Sequence, residues 1–225
     1  MDFKIENGPV FTTLRIQMAK GESFRAEAGA MIAMSPTIQL EAKSSGKGFF
    51  GTLKAAVGGE DLFASLFTAV DGDGELLLAP SSPGDIVKFE ISGKTLYAQA
   101  GSYLAGSPEL TLSTEGSLKA MVSGEGLFLQ KISGSGTVFL NSYGAIIEKK
   151  LAAGESYIVD TGHIVAFDDT VKYQIKKVAK GFFSSIASGE GLVCQYQGPG
   201  SLWMQTRNLP AFAQLIEKFL PESDQ

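Results

Sequence analysis

Residues 21–42 read GESFRAEAGAMIAMSPTIQLEA, and the spacing of their apolar residues decides the fold. From Phe24, apolar side chains occupy every second position: Phe24, Ala26, Ala28, Ala30, Ile32 and Met34, then Ile38 and Leu40. Arg25, Glu27, Gln39 and Glu41 lie between them. A period of two marks strands that turn one face to a core. The stretch recurs twice. Residues 93–114 read GKTLYAQAGSYLAGSPELTLST, with Leu96, Ala98, Ala100, Leu104, Leu110 and Leu112 in phase. Residues 154–175 read GESYIVDTGHIVAFDDTVKYQI, with Tyr157, Val159, Val165, Phe167, Val171 and Tyr173 in phase. Gly29, Gly101 and Gly162 mark the same place in each. Ser35-Pro36 and Ser107-Pro108 match, and Asp168-Asp169 stands in their place in the third copy.

A second set of anchors repeats in the same order. Gly59-Glu60, Gly124-Glu125 and Gly189-Glu190 are spaced 65 residues apart. Each is followed by a Gly-x-Gly: Gly72-Asp73-Gly74, Gly134-Ser135-Gly136 and Gly198-Pro199-Gly200. These fall between apolar runs and read as hairpin turns, where glycine supplies positive φ. The expected architecture is all-β. Three tandem sandwich- or barrel-like repeats, 5–80, 81–141 and 142–207, form one body in a pseudo-threefold arrangement. A short apolar crossover is expected in each repeat, around Phe49-Phe50, around Leu118, Met121 and Val122, and around Phe182-Phe183. An amphipathic C-terminal helix is predicted over 208–220. Asn208 caps it, and Phe212, Leu215, Ile216, Phe219 and Leu220 form a stripe expected to pack on the β body.

The chain has 225 residues, 19 Lys+Arg against 24 Asp+Glu, and a net charge of −5. That acidic balance argues against nucleic acid, whose phosphates are bound through Lys and Arg. Fifteen Phe against one Trp and six Tyr point to core packing rather than base stacking. One Cys excludes an intrachain disulfide and a thiolate metal cage. One His excludes any site that takes two from one chain. The opening MDFKIENGP is acidic and polar, unlike a secretory signal or a transit peptide, and no long window is continuously apolar. The expectation is a soluble cytoplasmic protein.

The triplicated Gly-Glu strands, the Gly-x-Gly turns and the ending Ser201-Leu-Trp-Met-Gln-Thr-Arg-Asn-Leu-Pro-Ala-Phe-Ala resemble the "altered inheritance of mitochondria" family. The resemblance covers nearly the whole chain. It implies a fold similar to that of the trp RNA-binding attenuation protein, whose all-β modules associate into rings. The signatures are turn glycines, so they specify fold better than chemistry.

Catalytic and metal patterns are incomplete. His163 has Asp160, Asp168 and Asp169 nearby in sequence, which makes a general base conceivable. A histidine in a strand, on the phase of Ala30 and Ser102, is the simpler reading. Cys194 alternates within a strand and lacks the basic setting that a reactive thiolate needs. No Gly-x-Ser-x-Gly elbow exists. Gly93-Lys94-Thr95 lacks the upstream glycine of a phosphate loop, since Lys88 stands there. Asp71-Gly-Asp-Gly-Glu75 departs from a calcium loop, with Leu76 and Ser82 where glycine and glutamate belong. No catalytic residue, cofactor or metal site is assigned.

Phe49, Phe50, Phe182 and Phe183, each pair after Lys-Gly, are the candidate interface residues. They could cover the core, plug a subunit contact or touch a membrane surface. The leading functional expectation is a non-enzymatic scaffold or interaction protein that forms homo-oligomers. The alternatives are a small-molecule or membrane-surface binding module and, further off, a carboxylate/His hydrolase.

Overall fold

The computed structural model describes residues 1–42, 64–115, 128–177 and 192–220. After β1 (Asp2–Glu6), the strands fall into three sets of six. The first set is β2 (Thr13–Met18), β3 (Ser23–Glu27), β4 (Met31–Met34), β5 (Ile38–Ala42), β6 (Ala64–Ala69) and β7 (Gly74–Leu78). The second is β8 (Ile86–Ser92), β9 (Leu96–Gln99), β10 (Tyr103–Gly106), β11 (Thr111–Glu115), β12 (Leu129–Ser133) and β13 (Ser135–Asn141). The third is β14 (Ile146–Leu151), β15 (Ser156–Asp160), β16 (Ile164–Asp168), β17 (Lys172–Lys177), β18 (Leu192–Gln197) and β19 (Gly200–Gln205).

One antiparallel pairing scheme runs through all three sets. The sixth strand lies between the first and third, as in β2-β7-β4, β8-β13-β10 and β14-β19-β16. The fifth lies between the second and fourth, as in β3-β6-β5, β9-β12-β11 and β15-β18-β17. The third strands also share a defect. The register slips between Met31 and Ala33, between Tyr103 and Ala105, and between Ile164 and Ala166, each a bulge at the equivalent residue.

This scheme corrects the hairpin reading of the Gly-x-Gly sequences. β6 and β7 belong to different sheets, as do β12 and β13, and β18 and β19. The glycines are corners at which the chain leaves one sheet for another. Gly72, Gly136 and Gly200 carry φ of 154°, 150° and 140°, a region that side-chain-bearing residues rarely adopt. Gly21-Glu22, Gly93-Lys94 and Gly154-Glu155 are corners of the same kind, between strands of different sheets.

Neighbouring sets join by pairing the second strand of one with the third strand of the next. β3 pairs with β10, setting Ala26 opposite Ala105 and Arg25 opposite Gly106. β9 pairs with β16, setting Ala98 opposite Ala166 and Tyr97 opposite Phe167. Each junction fuses two half-sheets into a six-stranded sheet. The corresponding third junction would pair β15 with β4, and it is not made within the chain. A four-stranded sheet, β1-β2-β7-β4, and a three-stranded sheet, β15-β18-β17, are left as separate halves.

The core follows the period-two phase. Phe24, Ala26, Leu96, Ala98, Leu104, Val165 and Phe167 are buried, and three apolar clusters form along the chain. The clusters reach across the junctions: Leu104, Ala105 and Phe139 join the first, and Val165 and Ala166 join the second. Full burial of a Leu, Val or Phe side chain among them contributes about 1.5–3 kcal/mol.

The C-terminal helix α1 (Leu209–Glu217) begins as predicted, with the Asn208 side chain accepting the Ala211 N–H at 3.2 Å. Its apolar stripe does not pack into the β body. No residue of α1 is buried, and the Phe212 ring lies 5.9 Å from that of Tyr143.

Candidate functional site

His163 and the acids near it are held by hydrogen bonds to main-chain groups. The His163 ring donates from Nδ1 to the main-chain oxygen of Gln205 at 2.8 Å. The acids near it in sequence face other partners. Asp160 accepts the Gly162 N–H at 2.7 Å, Asp168 accepts the Ser201 N–H at 2.8 Å, and Asp169 accepts the Thr95 N–H at 3.0 Å. Among the described residues no carboxylate hydrogen-bonds the imidazole, so these acids do not form with it the pairing of a general base and its positioning acid. Gly162 also differs from its counterparts. Gly29 and Gly101 hold φ near 90°, whereas Gly162 lies in a 3-10 turn with the Asn208 side chain against it.

Cys194 is fully buried, and that burial pushes its thiol pKa up, away from the thiolate. In the Asp71–Glu75 stretch the acids do not converge. Asp73 accepts the Lys20 N–H at 2.8 Å, while Glu75 pairs with Arg15 at 2.5 Å. Among the described residues no three His, Cys, Asp or Glu side chains group as metal ligands would.

The repeated acids are corner fasteners. Glu22 accepts the Ala19 N–H and Glu155 the Ala152 N–H, each at 2.8 Å. The Ser-Pro signal has an equally local cause. Ser35 Oγ accepts the Glu75 N–H and Ser107 Oγ the Thr137 N–H, each at 2.9 Å. Asp168 fills the same role toward Ser201 in the third set. Each bond ties the end of a third strand to the start of a sixth.

Phe49, Phe50, Phe182 and Phe183 lie outside the described residues, as do the pairs Gly59-Glu60, Gly124-Glu125 and Gly189-Glu190.

A half-open cavity of about 280 Å³ lies where the second and third sets meet. Gln99, Ser102, Asn141, Tyr143, Gly162 and Gln205 contribute to its lining. The Gln99 Oε1 is buried and finds no donor among the described residues.

The unequal exposure of equivalent strands is the strongest feature. Ile32 of β4 is 52% exposed, whereas its counterparts Leu104 of β10 and Val165 of β16 are each at 0%. Tyr157 of β15 is 41% exposed, against 0% for Phe24 and 3% for Leu96. Met31, Met34 and Ile158 are exposed too. These side chains sit on two strands whose outer edges lack the pairing that their counterparts make. The alternating pattern pointed to burial at Ile32 and Tyr157 and could not reveal which junction stays open.

A sequence model described as mitochondrial biogenesis AIM24 matches residues 3–207. The chain belongs to that family. It is 34% identical to an uncharacterized protein of Streptococcus pyogenes serotype M6, an alignment covering 99% of this chain and 92% of that one. The fold matches the crystal structure of a Streptococcus pyogenes protein with a TM-score of 0.82 at 31% identity. That match covers 97% of this chain and 99% of the other. Family and fold therefore agree with the resemblance carried by the turn glycines. Among the described residues, no helix is long and apolar enough to cross a membrane.

Proposed function

We propose that the protein is a non-enzymatic scaffold or interaction protein that works as a homo-oligomer. The observation that supports this is the pair of strand edges on β4 and β15, which no described strand covers. An exposed strand edge is a template for another strand, and proteins that stay monomeric blunt such edges with charge, proline or a covering loop. Here β4 reads Met-Ile-Ala-Met and carries no charge. The expected result in light scattering is a mass above the 23.8 kDa of one chain. A monomer at high concentration would count against the reading.

A second reading rests on the unsatisfied Gln99 oxygen. The cavity around it would suit a small neutral ligand that offers a hydrogen-bond donor, because a buried acceptor left unpaired costs about 1–3 kcal/mol. Native mass spectrometry of freshly purified protein would reveal such a ligand. Gln99→Leu should then abolish its retention.

A further inference from the structure

We propose that the open edges join two copies of this chain in a fixed register: β15 of one copy pairs antiparallel with β4 of the next, with Val159 opposite Ala33 and Ile158 opposite Met34. This rests on the oligomer reading and adds the partner, the strands and the register.

The register follows from the two junctions already inside the chain. By the repeat alignment, Ala33 corresponds to Ala105 and Ala166, and Val159 corresponds to Ala26 and Ala98. Both internal junctions place these positions opposite each other. The next positions agree as well. Arg25 faces Gly106 and Tyr97 faces Phe167, so Ile158 faces Met34. The bulge that precedes the pairing residue in β10 and β16 is present in β4 at Ile32, so the edge is already shaped for its partner.

The side chains suit the arrangement. At the second junction the Tyr97 and Phe167 rings stack with centroids 5.3 Å apart. Ile158 and Met34 would make the corresponding apolar contact, removing from water a residue that is 61% exposed in the single chain. Pairing would unite the three-stranded sheet of one copy with the four-stranded sheet of the next. It would build the composite sheet that the chain makes twice internally. β4 differs from β15, so the contact is heterologous: each copy keeps one free edge of each kind until the assembly closes on itself.

The test uses five full-length variants, Met34→Cys, Ile158→Cys, Ala33→Cys, Val159→Cys and, as an off-register control, Ile32→Cys, each purified reduced. Facing residues in antiparallel strands have Cα atoms about 4.5–5.5 Å apart, within the roughly 4.4–6.8 Å that a disulfide spans. Met34→Cys is mixed with Ile158→Cys and oxidised, and Ala33→Cys is mixed with Val159→Cys as a second pair. The expected result is a disulfide-linked dimer in each mixture and none from any variant alone, since like edges do not meet. Cys194 is buried and serves as its own control in wild type. The off-register mixture of Ile32→Cys with Val159→Cys should stay unlinked. If wild type is oligomeric but neither in-register pair links, or single variants link to themselves, the proposed edge pairing is wrong and the oligomer reading survives. If wild type is monomeric at all concentrations, both are wrong.

Discussion

The Asp168 carboxylate accepts the main-chain N–H of Ser201 at 2.8 Å, across a gap that Ser35 and Ser107 bridge with hydroxyls in the other two sets. A hydroxyl in two sets and a carboxylate in the third thus perform one structural task. Asp168→Ser should retain near-wild-type stability, because a serine already serves at this position twice. Asp168→Ala leaves the N–H without its acceptor and should cost about 1 kcal/mol. Urea titration of the two variants checks this. If both lose stability equally, the acid has a task beyond the fastening.

Arg15 on β2 ties β1 to β7. It reaches Glu6 at 3.0 Å and Glu75 at 2.5 Å, and Lys4 adds a contact to Glu6 at 2.8 Å. Lys4 foremost, with Arg15, lowers the Glu6 pKa, and Arg15 lowers that of Glu75. A carboxylate with a depressed folded pKa adds stability above its unfolded pKa of about 4.3, and that stability is lost as the pH falls below it. Arg15→Met should therefore shrink the stability difference between neutral and acid solution. The effect will be small, because the cluster is exposed and screened by salt. Denaturation curves at both pH values, with and without added salt, provide the measurement. An unchanged pH difference in the variant would rule out this coupling.

Gly84 lies where the connection between the first and second sets crosses the one between the second and third. It bridges to Phe11 and to Gly144, and a Cβ at this position would overlap the main-chain oxygen of Ser142. Backbone cannot swing aside as a flexible side chain can. Gly84→Ala should cost about 1–3 kcal/mol, the range for overpacked sites. Gly93→Ala, whose Cβ would meet open space, isolates the separate cost of positive φ. Thermal melts of the pair should place Gly84→Ala clearly lower; equal melting temperatures would refute the close-approach argument.

The all-β character was legible because burial alternates in strands such as β2, β3 and β9, and Phe24, Ala26, Leu104 and Val165 are buried as the phase requires. The Gly-x-Gly sequences were legible as turns but not as sheet-to-sheet corners. Glycine at positive φ serves both, and only long-range pairing separates them. Ile32 and Tyr157 show the same limit more sharply. Their phase matches that of buried counterparts, yet they are exposed because no described strand pairs beyond them. Ser35 and Ser107 stood out as a repeat marker whose cause lies some 30–40 residues further along the chain, in the strands they fasten. His163 drew notice for acids adjacent in sequence, and the fold sends each of those acids elsewhere.

His163 is expected to act as a clamp on the last strand rather than as a base. Its Nδ1–H holds the Gln205 oxygen at 2.8 Å, and the Gln205 side chain returns a bond to the Gly162 oxygen at 2.9 Å. The two bonds lock the turn before β16 onto the end of β19, just ahead of Asn208 and α1. His163→Ala should destabilise the fold by about 1 kcal/mol, the usual net value of one such hydrogen bond. His163→Asn, which keeps a donor on a shorter side chain, should recover part of the loss. Esterase, phosphatase and protease screens should be blank for wild type and variant alike. A robust wild-type activity that His163→Ala abolishes, with the fold intact by circular dichroism, would show that the ring does chemistry and would overturn the non-enzymatic reading.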